Sequence, residues 1–119
     1  MSAIHEMSVT KDILKHSVKY AEANQATRIL GVGLRVGQIR DLVEDIMQKY
    51  WDYLSRGTVA EGAKIKFTVV PTTFRCLVCG NNFEFDLHHR QKIVCPCCSG
   101  ENVELLTGKE LVIENIVII

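Results

Sequence analysis

The sequence predicts a two-layer α+β (α/β) domain, a small three-stranded mixed sheet with two helices on one face, into which a zinc-ribbon domain is inserted. Two stretches carry apolar residues at helical spacing. Three others alternate in period two or are β-branched. All five cysteines of the 119-residue chain fall between Cys76 and Cys98, in a segment with little periodicity. These observations divide the chain into an α/β domain over 1–71 and 109–119 and a ribbon over 72–108. Hydrophobic residues make up 47% and charged residues 24%, the composition of a folded globular chain rather than a disordered one. Fourteen basic and fourteen acidic residues cancel, so a general attraction to nucleic acid or an anionic membrane is not expected. No run approaches the roughly 20 apolar residues that span a bilayer. The opening MSAIHEMSVTKDILKHSVKY lacks an apolar signal core. A cytoplasmic location follows as the expectation. Thiols stay reduced there, so grouped cysteines point to a metal rather than to disulfides.

The first helix is expected over 7–24. Met7, Thr10, Leu14, Val18 and Ala21 make its stripe, with Ile13 and Ser17 beside it. Lys11, Lys15 and Lys19 form a solvated face. A strand follows over 28–36, with Leu30, Val32, Leu34 and Val36 on one side and Gly31, Gly33 and Arg35 on the other. Gly31, Gly33 and Gly37 read G-x-G-x-x-x-G and begin inside the strand, which excludes a dinucleotide fingerprint. They are expected to let a helix lie close to the sheet. The second helix is placed at 41–56, with Asp41 as N-cap, Glu44 completing a capping box, and Gly57 past its end. Val43, Ile46, Met47, Tyr50, Tyr53 and Leu54 form its stripe, and Trp51 at the stripe's edge is assigned to the core. Ala63, Ile65, Phe67 and Val69 alternate with Lys64, Lys66 and Thr68 in a second strand that Pro71 stops. Strand, helix and strand in this order fit a parallel crossover. Glu110 to Ile119 supplies the third strand.

Cys76-Leu77-Val78-Cys79 and Cys95-Pro96-Cys97-Cys98 are two C-x2-C pairs with fifteen residues between them, the spacing of a four-thiolate metal site. A two-residue gap lets the chain turn tightly enough for both sulfurs to reach one ion, with backbone N–H groups aimed at them. Gly80 permits the turn after the first pair, and Pro96 stiffens the second. Zinc in a closed four-thiolate site does no chemistry and supplies folding energy. The same knuckles hold iron in rubredoxin-like electron carriers, which keeps iron open as an alternative. Cys97 is expected to be a free, partly buried thiol. His88 and His89 are read as exposed loop residues. No nucleophile–base pair and no phosphate loop is present, so no enzymatic activity is expected.

His5-Glu6-Met7-Ser8 precedes the first helix and is weak by itself. Together with Gly57-Thr58-Val59-Ala60-Glu61-Gly62-Ala63, the two knuckles Cys76-x2-Cys79-Gly80 and Cys95-x2-Cys98, and Gly108-Lys109-Glu110-Leu111, it resembles the HypA family of nickel-hydrogenase maturation factors over residues 4–119. The resemblance implies a nickel metallochaperone. Its cargo Ni(II) would bind at His5 and Glu6, and Cys76, Cys79, Cys95 and Cys98 would hold structural Zn(II). It also implies a HypB-type GTPase and the nickel-iron hydrogenase large-subunit precursor as partners, with urease maturation proteins served in some members, and a monomer or homodimer. Two positions depart from the family pattern. Met1-Ser2-Ala3-Ile4 precede His5 where the family places its His second, which removes the small chelate ring between terminal amine and imidazole. Gln38 stands where the family often has Glu. The competing reading is a zinc-ribbon module for nucleic acid or protein, against which the neutral charge and the lack of interleaved basic and aromatic residues argue.

Overall fold

A computed structural model describes residues 3–88 and 92–119. The elements are α1 (Ala3–Ala23), β1 (Ile29–Gly37), a 3₁₀ turn (Gln38–Arg40), α2 (Glu44–Leu54), β2 (Lys64–Val70), β3 (Thr73–Cys76), β4 (Asn82–Glu84), β5 (Val103–Thr107) and β6 (Leu111–Ile118). They fall into two compact units. One contains the chain up to Arg35, Leu42–Thr68 and Val112–Ile119, and the other contains Val36–Asp41 and Val69–Leu111.

The first unit is built on the sheet β2-β1-β6. At one end Arg28 and Ile119 exchange backbone hydrogen bonds of 3.3 and 3.0 Å, and at the other Gly37 N donates to Glu110 O at 2.8 Å, so β6 runs antiparallel to β1. The predicted small mixed sheet with its two helices is therefore present. Ile13, Ile29, Val32, Leu34, Met47, Trp51 and Ile65 form its core. Trp51 is fully buried, deeper than the edge position its spacing suggested, and its indole N–H donates to Ala60 O at 3.1 Å. That bond satisfies the one polar atom of the largest core side chain.

Helix α1 differs from its expectation in start and in register. It begins at Ala3, so His5 and Glu6 lie inside its first two turns rather than before it. Its buried stripe is Glu6, Thr10, Ile13, Ser17 and Ala21, while Met7, Leu14 and Val18 are only half-buried. Polar residues sit in this stripe because their hydroxyls are satisfied within the helix. Thr10 Oγ1 donates to Glu6 O at 2.6 Å and Ser17 Oγ to Ile13 O at 2.7 Å.

The expected capping box of α2 does not form. The helix starts at Glu44 with Val43 at the N-cap, and Asp41 sits in the left-handed region at φ 53° after the 3₁₀ turn. Glu44 reaches across to accept from Phe67 N at 2.7 Å, and Glu6 Oε2 accepts from Val43 N at 3.1 Å. The Glu6 carboxylate thus meets the start of α2 from a distant segment, and this tertiary bond replaces the local cap.

Strands β1 and β2 break their predicted alternation. In β1, Ile29 is buried and Leu30 is 42% exposed, because Ile29 N bonds Val59 O of the loop that covers this end. In β2, Val69 is 58% exposed and Val70 is buried, at the point where the chain enters the second unit. The atoms nearest to a Cβ at Gly33 belong to the Asn115 side chain of β6, not to a helix, so the glycines do not serve the close helix approach expected of them.

The second unit holds a separate antiparallel sheet, β4-β3-β5. Phe74 pairs with Phe83 and with Leu105 in register, and its ring stacks on Phe83 and meets Phe85 edge-on, each at 5.9 Å. Residues 36–41 belong to this unit. Ile39 N donates to Gly108 O at 2.8 Å, Arg40 Nε to Lys109 O at 2.7 Å, and Thr72 N to Gln38 Oε1 at 3.0 Å. A Cβ at Gly37 would lie 2.0 Å from Gly108 O, so this crossing requires glycine.

Candidate metal centre

The two C-x2-C turns are built alike. Gly80 N donates to Cys76 O at 2.9 Å and Ser99 N to Cys95 O at 2.8 Å. Cys76 N donates to Asn81 O at 2.8 Å and Cys95 N to Gly100 O at 2.9 Å. In each turn the residue after the second cysteine takes a left-handed conformation, Gly80 at φ 78° and Ser99 at φ 61°. Glycine adopts it without strain, and Ser99 does so at some cost.

This repeated turn brings four sulfurs together. The Sγ atoms of Cys76, Cys79, Cys95 and Cys98 all lie within 4.8 Å of one another, with Cys76–Cys98 at 3.5 Å and Cys79–Cys95 at 3.6 Å. A tetrahedron of thiolates around one zinc at about 2.3 Å has edges of about 3.8 Å. The donor set and its spacing therefore fit a four-thiolate ion. Cys79 N donates to Cys76 Sγ at 3.5 Å, Cys97 N to Cys95 Sγ at 3.4 Å, and Asn81 Nδ2 to Cys95 Sγ at 3.8 Å. Such N–H groups stabilise thiolate charge and orient the ligands. The Asn81 contact was missed in the sequence, where its only signal is a polar side chain one residue past the turn glycine.

The four thiols split into two kinds. The Cys79 and Val78 N–H groups hold Cys76 below the usual thiol value. Burial opposes ionisation of Cys95, yet the Cys98 and Cys97 N–H groups bring it down to about 6. The Asn81 N–H pulls Cys79 down, but the Cys95 sulfur and burial outweigh it and push the thiol up to about 12. Cys98 is likewise raised, against the pull of the Gly100 N–H, by the Cys76 sulfur and burial. In each turn backbone N–H groups favour the thiolate at the first, buried cysteine, and the neighbouring sulfur and burial favour the thiol at the second, exposed one. Four thiolates crowded this closely coexist only around a cation.

The remaining predicted residues are not among these four sulfur donors. Cys97 is exposed rather than partly buried, and it contributes its backbone N–H to Cys95. His88 is exposed, and its backbone N–H donates to Asp86 Oδ1 at 2.9 Å. His89 lies outside the described residues. His5 is exposed on α1, while the Glu6 side chain next to it is fully buried. One Glu6 oxygen accepts from Val43 N, and the other, Oε1, is buried with no hydrogen-bond partner among the described residues.

A sequence model of the family described as "Hydrogenase/urease nickel incorporation, metallochaperone, hypA" matches residues 4–118. The chain belongs to the HypA family. It is 39% identical over 113 residues to a hydrogenase maturation factor HypA of Dehalococcoides mccartyi, covering 95% of this chain and 92% of that protein. It is 31% identical to the HypA of Archaeoglobus fulgidus, covering 97% and 98%. The fold is similar to the solution structure of the Ni metallochaperone HypA from Helicobacter pylori, with a TM-score of 0.62 at 20% identity over 95% of this chain and 96% of that one. HypA proteins are nickel metallochaperones of hydrogenase maturation and not enzymes. In this chain the family's metal chemistry is accompanied by the four-cysteine centre. No helix among the described residues is long and apolar enough to cross a membrane.

Proposed function

We propose that this HypA chain carries Ni(II) on His5 and Glu6 and delivers it to a nickel-iron hydrogenase large-subunit precursor, while Cys76, Cys79, Cys95 and Cys98 hold a structural zinc ion. The observation that supports the nickel reading is an exposed His5 next in sequence to Glu6, whose buried Oε1 has no hydrogen-bond partner among the described residues. A buried carboxylate oxygen without a donor is costly, and a cation satisfies it. Both residues lie near the start of α1, where backbone N–H groups have no acceptor within the helix. Ni(II) takes imidazole nitrogen and deprotonated amide nitrogen together, so these amides and the His5 ring make a chemically consistent donor set.

Function here is ligand exchange. The ion sits on few donors at an accessible helix start and passes to a partner that offers more. GTP hydrolysis in this scheme belongs to a HypB-type GTPase, and urease maturation proteins are a further client in line with the family's description. The chain itself works in the cytoplasm, as a monomer or homodimer. Zinc rather than iron fits a centre whose task is to hold the second unit together.

Calorimetric nickel titration of the zinc-loaded protein with its natural N-terminus tests the carrier reading. The expected result is one nickel per chain, lost in His5→Ala. Undiminished nickel binding in His5→Ala would move the cargo site elsewhere. A colourless protein with one zinc per chain is expected, and a red oxidised form would replace zinc by iron.

A further inference from the structure

The face of the first unit's sheet that bears Gly31 and Gly33 carries an open trough of about 350 Å³. Gly31 and Gly33 of β1 form its floor, Lys64 and Lys66 of β2 one wall, and Asn115 and Val117 of β6 the other. The floor is low because neither glycine has a side chain, and the Asn115 amide lies across Gly33. The charges around the trough are not balanced. Its one acid, Glu114, is already paired with Arg35 at 3.1 Å. Lys64 and Lys66 are exposed and make no ion pair with another described residue. The chain as a whole is neutral, so this local excess of positive charge is a property of the trough.

We propose that this trough docks an extended acidic segment of a partner protein, with carboxylates at alternate positions received by Lys64 and Lys66. The geometry selects that spacing. Residues two apart on a strand project from the same face about 6.7 Å apart. An extended peptide running alongside β2 repeats its side chains at the same interval, so an acid-x-acid sequence meets both ammonium groups at once. The floor at Gly31 leaves room for the peptide backbone, and the Asn115 amide across Gly33 supplies a further donor and acceptor. Pairs of this kind set specificity and association rate more than raw affinity, so binding is expected to be salt-sensitive. The proposal stands apart from the location of the nickel site.

The probe is a fluorescein-labelled peptide of alternating Glu and Thr, measured by anisotropy against the zinc-loaded full chain. The control is an isomer of equal charge with its acids adjacent. The alternating peptide should bind more tightly than the isomer, and Lys64→Glu with Lys66→Glu should weaken it by roughly tenfold or more. Gly31→Ala, whose added Cβ would sit 3.4 Å from Lys64 O and so fits without strain, should also weaken it by raising the floor. Zinc content and nickel stoichiometry should be the same in all variants, which separates this outcome from any failure at His5. Equal binding of both peptides, or binding that survives the double charge reversal, overturns the proposal. Concentration-dependent self-association that the double reversal abolishes, without peptide binding, overturns it in favour of a second copy of this chain as occupant.

Discussion

The two units of this HypA chain are held together by different physics. The first buries Trp51, Met47, Leu34, Ile29 and Val32 completely or nearly so. The second has few such side chains. Val36, Val70, Phe74 at 9% exposure and the two cysteines Cys76 and Cys95 are its buried apolar residues. A segment of that size cannot bury enough apolar surface to offset its chain entropy, so a metal supplies the difference. The first unit instead depends on packing, and on the remote Glu6 carboxylate that completes α2. Each unit is therefore fragile in a different place, the second at its ion and the first at single large side chains.

Removing the metal should have the largest effect. Structural zinc contributes about 10 kcal/mol or more to small four-ligand sites. Chelation, or Cys95→Ser, should therefore unfold the sheet β4-β3-β5 while the helical signal of α1 and α2 persists. Loss of both together in circular dichroism would show that the units do not differ as described. The thiol values give the sign of the pH effect. At pH 7 Cys79, near 12, and Cys98, also raised, hold protons in the metal-free chain, whereas Cys95, near 6, is ionised. Metal binding must release at least those two protons, so affinity should rise about a hundredfold per pH unit between pH 6.5 and 8 and fall in acid. Competition with a chelator across that range measures the slope.

Trp51→Ala comes next. It removes the largest buried side chain and the bond to Ala60 O, and should destabilise the first unit by about 3–5 kcal/mol without changing the zinc content. Denaturant unfolding followed by helical circular dichroism reads this directly. Glu6→Ala should cost less, about 1–3 kcal/mol, because it leaves Val43 N without its acceptor. A loss of nickel binding far greater than this small destabilisation would assign Glu6 to the cargo as well as to the helix. Gly80→Ala is the mildest change. At φ 78° it should weaken the first knuckle by about 1 kcal/mol, seen as faster zinc transfer to a chelator.

Legibility in the sequence followed the range of the interactions. The four ligands and both turns were readable because C-x2-C and the residue after it act within six residues, and the structure brings the four sulfurs together as the spacing required. The strands of the second unit were not readable. They are three to five residues long, too short for alternation to show, and their pairing across Phe74 is set by rings from distant positions. Helix α2 was found but its start was misjudged. Asp41 and Glu44 match a local capping pattern, yet Glu44 has a better partner in Phe67 N, which only the folded sheet presents.

Glu6 marks the boundary between the two kinds of information. The sequence alone determined that His5 and Glu6 stand together near the start of α1, that two helices and three longer strands form, and that four cysteines converge on one ion. Each of these follows from local spacing, where backbone geometry leaves little choice. Only the tertiary structure decided that Glu6 is buried, with one oxygen on Val43 N and the other without a hydrogen-bond partner among the described residues. It alone set the register of α1, the change of face at Val69 and Val70, and the trough beside Lys64 and Lys66. The physical reason is that burial and charge balance are properties of neighbours, and those neighbours come from residues far apart in the chain.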